Sequence, residues 1–325
     1  MAKVTMVEAI AMAQGWEMQH DESVVVIGQD VGANGGVFRA TAGLQRRFGE
    51  RRVQDTPLAE ATISGMAVGM AAHGLKPVAE IQFMGFMYPA LDQIVNHMSR
   101  MRTRTRGRLS CPVVMRMPHG GGIHAPEHHS ESTEAMLCHI PGIRVVCPSS
   151  PARAYGLLLA AIRDPDPVMF LEPVRLYRAM RQEVADDGRA LPLDAAFTLR
   201  AGSDVTIVTW GAMTIETLRA AALLDTQGVS AEVIDPATLS PLDDAAILAS
   251  VAKTGRLVIV HEGARNVGVG AEIAALVAER GLYDLQAPIR RVTGFDTVMP
   301  LFKLEYDYIP CVQRIVDAVR LTLAE

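Results

Sequence analysis

The feature that most constrains this chain is a succession of short apolar runs separated by helical stretches. In the first half the runs occupy 24–27, 78–81, 113–115, 143–146 and 168–171. They are rich in β-branched residues and mostly lack the polar–apolar alternation of a strand with one wet face. Strands of this kind need cover on both faces, as the parallel sheets of α/β proteins provide. The stretches 61–72, 88–102 and 151–161 read as the covering helices.

A polar, proline-bearing stretch follows from Arg178 to Ser203 and reads as a linker with one edge strand. The pattern then restarts. Strands are expected at 205–208, 231–234, 257–260 and 289–292, with helices at 214–224, 243–251, 270–279 and 311–323. A chain of 325 residues is long for one core and comfortable for two. The expectation is an α/β protein with two domains, each a mainly parallel sheet flanked by helices: 1–185, a linker at 186–203, and 204–325.

Composition excludes several classes. A formal net charge of −5 argues against a nucleic-acid partner. Arg100, Arg102, Arg104, Arg106 and Arg108 do cluster, but no aromatic residues interleave, so a solvated helix end is the better reading. No run approaches the roughly 18 apolar residues of a membrane span. The start of the chain reads as an amphipathic helix carrying Glu8 rather than a signal peptide, which points to the cytoplasm. Cys111, Cys138, Cys147 and Cys311 form no CxxC and are expected as buried free thiols.

Three places invite chemistry. Glu60 falls where a strand-turn enters an apolar helix, although an acidic residue in a first turn is also ordinary dipole compensation. The segment from Glu80 to Tyr88 follows a strand at its carboxyl end, where open α/β sheets place ligands; its aromatics suit either a planar ring or the core. The loop from Met117 to Ser130 is the third. Five of the nine histidines lie from His119 to His139. His124, His128 and His129 with Glu127 are one option, as metal ligands; acid–base work by one or two histidines is a second, and solvated loop histidines with no chemical role a third. The absence of HExxH and the glycines and prolines of the loop favour acid–base work. The glycines at 32–36 and 266–270 match neither GxGxxG nor a Walker loop and read as turns.

The order of these motifs carries more than any one of them. Gly35-Gly36-Val37-Phe38-Arg39-Ala40-Thr41 is followed by Asp55-Thr56-Pro57-Leu58-Ala59-Glu60, Ala79-Glu80-Ile81-Gln82-Phe83, Gly120-Gly121-Gly122 and His129-Ser130-Glu131-Ser132. Further on come Phe170-Leu171-Glu172-Pro173, Arg175-Leu176-Tyr177, Ala231-Glu232-Val233-Ile234-Asp235 and Val292-Thr293-Gly294-Phe295-Asp296-Thr297. This series closely resembles the beta subunits of the decarboxylating first component of pyruvate and branched-chain 2-oxo-acid dehydrogenase complexes, over essentially the whole chain.

The resemblance implies a thiamine-diphosphate-binding, transketolase-like architecture, with a pyrimidine-binding domain and then the carboxyl-terminal transketolase domain. It implies that Glu60 contacts N1′ of the cofactor aminopyrimidine, favouring the tautomer that removes the C2 proton. By position Phe86 stacks on the ring and Gln82 makes a polar contact. His129 matches the family's active-site histidine, with His128 its neighbour. Thiamine enzymes usually hold Mg²⁺ and the diphosphate with a Gly-Asp-Gly segment, which this sequence lacks. The resemblance assigns that half to an alpha subunit in an α2β2 assembly, so the cofactor is shared and Mg²⁺ is held mainly by the partner. Further implied partners are the subunit-binding and lipoyl domains of a dihydrolipoyl acyltransferase. Some members bind K⁺; the matching positions are Val113, Ala161, Ile162, Asp164 and Asp166, with Asp166 where relatives often carry Asn. The stretch from Leu301 to Tyr308 departs from the family pattern. Acetoin dehydrogenase beta subunits, a scaffold subunit, transketolase, deoxyxylulose-phosphate synthase and a metal hydrolase are the rival readings.

Overall fold

The computed structural model describes residues 2–325, which form two compact units. Beyond the expected alternation of strands and helices, the chain path has one detour. The first unit runs to His119, the chain then lends Gly120–Ala135 to the second unit, and Met136–Leu193 completes the first. The second unit resumes at Asp194, inside the stretch read as a linker.

The first unit contains strands β1 (Ala2–Val4), β2 (Val24–Gly28), β3 (Val53–Asp55), β4 (Lys76–Glu80), β5 (Val114–His119), β6 (Arg144–Val146), β7 (Val168–Pro173) and β8 (Gln182–Val184). Its main sheet has the order β6-β7-β5-β4-β2-β3, every pair parallel. Every residue of β2, β5 and β7 is buried, as strands covered on both faces must be. The helices are α1 (Met6–His20), α2 (Leu44–Phe48), α3 (Glu60–Ala72), the short α4 (Met101–Arg104) and α5 (Glu134–Cys138), and α6 (Pro151–Arg163); α5 straddles the point where the chain re-enters this unit. A separate small sheet pairs β1 with β8, antiparallel.

Helix α1 starts with a capping box: the Thr5 hydroxyl accepts from Glu8 N–H, and the Glu8 carboxylate accepts from Thr5 N–H at 2.7 Å. It was expected to be amphipathic. Instead it is buried or half-buried over its whole length apart from Glu8 and its last two residues, because it packs against α6. Arg163 of α6 reaches back to Glu17 at 2.7 Å and lies over the Trp16 ring.

The helix expected at 88–102 is broken into three pieces. A 3₁₀ segment at Met84–Ala90 contains Pro89, a wide π-type turn covers Gln93–Met98, and α4 is a single turn. Proline lacks the N–H that a regular α-helix would use there, and its ring crowds the preceding turn.

The second unit has β9 (Phe197–Arg200), β10 (Val205–Thr209), β11 (Ala231–Asp235), the short β12 (Thr238–Ser240), β13 (Leu257–Val260) and β14 (Arg290–Val292). The five-stranded sheet runs β14-β13-β10-β11-β9; only the edge strand β9 is antiparallel. Helices α7 (Met213–Asp225), α8 (Asp244–Thr254), α9 (Val269–Arg280), α10 (Glu305–Tyr308) and α11 (Val312–Leu323) complete it. Its core gathers Val205, Ile207, Val258 and Val260 from the strands with Ala220, Leu224, Ile315 and Val319 from α7 and α11.

The four cysteines are free. Cys111 and Cys147 are buried, and burial pushes the Cys111 thiol up to about 12. Cys311 is exposed, contrary to expectation, because it precedes α11 rather than facing its core. Among the described residues no helix is long and apolar enough to cross a membrane.

Candidate active site

In the first unit the chain passes from β2 to β3 on one side, then crosses to β4 on the other. Such a reversal of strand order opens a crevice beyond the carboxyl ends of the strands, where doubly wound sheets hold ligands. Three loops meet there. The glycine turn follows β2; Gly35 and Gly36 have φ of 78° and 79°, and Gly36 N–H donates to Asp30 O at 2.7 Å. These glycines form turns, as expected from the sequence, and Gly36 is needed for more than its φ. A Cβ on it would stand 3.1 Å from Glu80 Oε1.

Glu60 follows β3. It is half-buried and is the first residue of α3, whose N-cap, Ala59, offers no side-chain cap. The preceding loop is held down by Thr56 N–H donating to Gly28 O at 3.0 Å and by Gly32 N–H donating to Asp55 Oδ1 at 2.6 Å. Gln82 and Phe86 follow β4. The Gln82 amide donates to Asp30 Oδ2 at 3.5 Å, which ties this loop to the glycine turn. Phe86 is half-buried and meets Phe83 edge-on at 5.7 Å; Phe83 in turn meets Phe38 at 5.4 Å, and Phe38 meets Tyr177 at 5.1 Å. The structure thus places Glu60, at the start of α3, and Gln82 and Phe86, in the segment after β4, beyond the same end of the first sheet.

Beneath those loops lies a feature the residue-by-residue reading missed. Arg116 on β5 is fully buried between Glu80 on β4 and Glu172 on β7. Its Nη1 donates to Glu80 Oε2 at 2.7 Å; its Nε and Nη2 grip the two oxygens of Glu172 at 2.7 and 2.9 Å. The Tyr177 hydroxyl also donates to Glu172, at 2.5 Å. Burial pushes the Glu80 carboxyl up against the pull of Arg116, and it pushes the Tyr177 phenol up as well. The signal was present: Glu80, Arg116 and Glu172 interrupt or adjoin the apolar runs of three buried strands, where an unpaired charge is too costly to keep.

His129 and its loop belong to the second unit. Glu127–His129 form one 3₁₀ turn; His128 is exposed and His129 half-buried. The loop closes at its base where Gly120 N–H donates to Glu131 O at 2.8 Å, and His129 N–H donates to Pro126 O at 2.9 Å. Three buried carboxylates surround this loop. Glu305 accepts from Gly122 N–H and from His124, Glu262 accepts from Gly121 N–H at 2.5 Å, and Glu134 accepts from the Trp210 indole at 3.4 Å. None of the three stood among the sequence candidates. Trp210 stacks on His261, whose ring burial holds at about 4.

The positions matched to a potassium site occupy one neighbourhood: Val113 just before β5, Ala161 and Ile162 in α6, and Asp164 and Asp166 in the loop after it. Both carboxylates are engaged by arginines. Asp164 meets Arg144 at 2.9 Å, and Asp166 meets Arg102 at 2.7 Å. The Val113 carbonyl accepts from Val168 N–H at 2.9 Å. Among the described residues no group of three or more His, Cys, Asp or Glu side chains is arranged to hold a metal ion, the histidine loop included.

A carboxylate, a carboxamide and a phenyl ring from loops around one crevice suit a planar, nitrogen-rich heterocycle. The buried Thr56 hydroxyl beside them, which has no hydrogen-bond partner, adds a further polar atom. Two parallel-sheet units with such a crevice define a transketolase-like protein, and the family matches agree. The transketolase pyrimidine-binding domain matches residues 2–180, and the transketolase C-terminal domain matches 194–315. A solved structure described as "Split gene transketolase, inactive beta4 tetramer" is similar with a TM-score of 0.81 at 25% identity, covering 99% of both chains.

Sequence relatives narrow the class. The pyruvate dehydrogenase E1 component subunit beta of Acholeplasma laidlawii is 49% identical over 98% of each chain, that of Bacillus subtilis 48% over 99%, and that of Staphylococcus epidermidis 46% over 99%. The chain belongs to the family of pyruvate dehydrogenase E1 beta subunits.

Proposed function

We propose that this chain is the beta half of a thiamine-diphosphate-dependent 2-oxo-acid dehydrogenase, acting on pyruvate and passing the acyl group to a lipoyl carrier on an acyltransferase. The observation that carries this reading is the convergence of Glu60, Gln82 and Phe86 at the switch point of the first sheet. Full-length relatives named as pyruvate dehydrogenase subunits support the choice of substrate over a branched-chain 2-oxo acid.

When bound, thiamine diphosphate supplies the electron sink that decarboxylation needs. Glu60 would hold a proton at N1′ of its pyrimidine, Phe86 would lie against that ring, and Gln82 would offer an amide beside it. His129 would hold and deliver a proton during transfer to the lipoyl disulfide, work suited to an imidazole near neutral pH. The chain has no Gly-Asp-Gly segment for Mg²⁺ and the diphosphate. An alpha subunit in an α2β2 assembly would supply that half-site, which leaves this chain inactive alone. Asp164 and Asp166 would take K⁺ only by sharing carboxylates that now pair with arginine.

Calorimetry tests the split site. The chain alone should bind thiamine diphosphate and Mg²⁺ weakly, and addition of the alpha subunit should produce tight binding. Glu60→Gln in the assembled enzyme should reduce turnover by about 10²–10⁴-fold with assembly intact. Tight Mg²⁺-dependent binding to the isolated chain, or wild-type turnover by the variant, would overturn the reading.

A further inference from the structure

We infer that Glu305 is a positioning residue of this enzyme, a buried carboxylate that sets the histidine loop and so the place from which His129 works. The inference deepens the proposed function and rests on its assignment of His129.

The loop cannot hold itself. It contains Gly120, Gly121, Gly122 and Pro126 and, apart from the 3₁₀ turn at Glu127–His129, no regular structure before Glu134. Ordering such a segment costs conformational entropy that must be offset elsewhere. Glu305 offsets it on the ascending limb. Its Oε1 accepts from Gly122 N–H at 2.7 Å; its Oε2 accepts from His124 N–H at 3.1 Å and lies 2.9 Å from His124 Nδ1. Glu305 is fully buried, so its carboxylate depends on these donors rather than on water, although the His124 ring itself is exposed. Glu262 braces the base from both sides, accepting from Gly121 N–H at 2.5 Å and Ser132 Oγ at 3.3 Å.

His124 has φ of 59°, a left-handed conformation that a side chain other than glycine adopts only under constraint. The constraint is the same carboxylate, which takes both the backbone N–H and the ring of that residue. Phe302 and Tyr306, from the segment that departs from the family pattern, meet the His124 ring edge-on at 6.3 and 5.5 Å.

From His124 the path to His129 is short. The Ser130 hydroxyl reaches Pro126 O at 3.2 Å, and His129 N–H donates to the same carbonyl. Pro126 is therefore the hinge between the limb that Glu305 grips and the turn that carries His129. The grip requires a carboxylate: the two oxygens accept from three donors, and a carboxamide would point N–H at N–H on one side.

The test uses the holoenzyme with its alpha subunit and a lipoyl domain, comparing wild type with Glu305→Gln, Glu305→Asp, His129→Ala and the Glu305→Gln/His129→Ala double variant. Amide exchange across 120–135 reads the loop. Reductive acylation of the lipoyl domain, set against decarboxylation with an artificial acceptor, reads the chemistry. Glu305→Gln should accelerate exchange at Gly122 and His124 and reduce acylation by about 10²-fold, the scale of a misplacement near 1 Å, with a much smaller loss of decarboxylation. Glu305→Asp should recover part of both. The double variant should be little worse than His129→Ala, because the two side chains act as one unit.

Unchanged exchange in Glu305→Gln would overturn the clamp. Faster exchange with no selective loss of acylation, or full additivity in the double variant, would overturn the positioning role. If His129→Ala alone acylates at the wild-type rate, the His129 assignment is what has failed, and exchange alone then decides whether Glu305 clamps the loop. Should Glu305→Gln not assemble, Glu305→Asp supplies both readouts.

Discussion

The first unit surrounds one guanidinium with two carboxylates inside its sheet, whereas in the second the buried carboxylates Glu262, Glu305 and Glu134 face backbone amides, a hydroxyl, a histidine and an indole. In the first, Glu80, Arg116 and Glu172 sit on three adjacent strands, so the charges lock the order and register of the sheet that presents Glu60, Gln82 and Phe86. In the second, Glu262 and Glu305 hold a loop. Full charges on neighbouring strands favour a rigid platform. Carboxylates facing N–H donors shape a segment that has no regular structure of its own.

The largest stability effect should come from breaking the first arrangement. Arg116→Met leaves Glu80 and Glu172 buried without their cation and should destabilise the first unit by about 3–5 kcal/mol in denaturant titration. Replacing all three charged residues with apolar ones of similar volume should return most of that loss. A cost below about 1 kcal/mol for Arg116→Met would erase the contrast between the units, since an exposed pair would serve as well.

The second arrangement is sharpened by pH. Burial, with smaller contributions from Arg291 and Arg265, depresses His261 from 6.5 to about 4, while Glu134 opposes the shift. The folded ring is therefore neutral at pH values where the unfolded ring is already protonated. Unfolding takes up a proton in that range, so stability is complete above about 6.5 and falls as pH drops toward 4, by roughly 3 kcal/mol in all. Denaturation midpoints of wild type and His261→Phe across this window should diverge, with the variant losing that part of the slope and keeping an aromatic ring against Trp210. Parallel profiles would show that the second unit buries no proton-sensitive group here.

The smallest effect is a control on the same comparison. Arg280 and Asp244 form an exposed ion pair at 2.8 Å in the second unit. Arg280→Ala should cost less than about 1 kcal/mol, because solvent screens the pair and ordering the long arginine side chain offsets the attraction.

Much of this molecule was legible in its residues. Uninterrupted apolar runs demanded sheets covered on both faces, because a strand without a wet side can be stable only there. The order of motifs singled out Glu60, Gln82 and Phe86, which lie in the segments that follow the carboxyl ends of β3 and β4. Helix patterning failed in two places, one local and one tertiary. Pro89 broke the stretch after β4, and α1 gained cover on nearly every side because α6 lies against it.

What the sequence determined was the set of elements and the chemistry of the loops between them, since periodicity, breakers and turn residues act over a few positions. What only the tertiary structure decided was which charge meets which donor. Arg116 lies 36 residues from Glu80 and 56 from Glu172, and they meet because β4, β5 and β7 are neighbours in the sheet. Gly121 and Glu262 are 141 residues apart, Gly122 and Glu305 183. No local pattern encodes such pairs; desolvation makes each carboxylate unacceptable without a donor, and only the folded chain brings one within 3 Å.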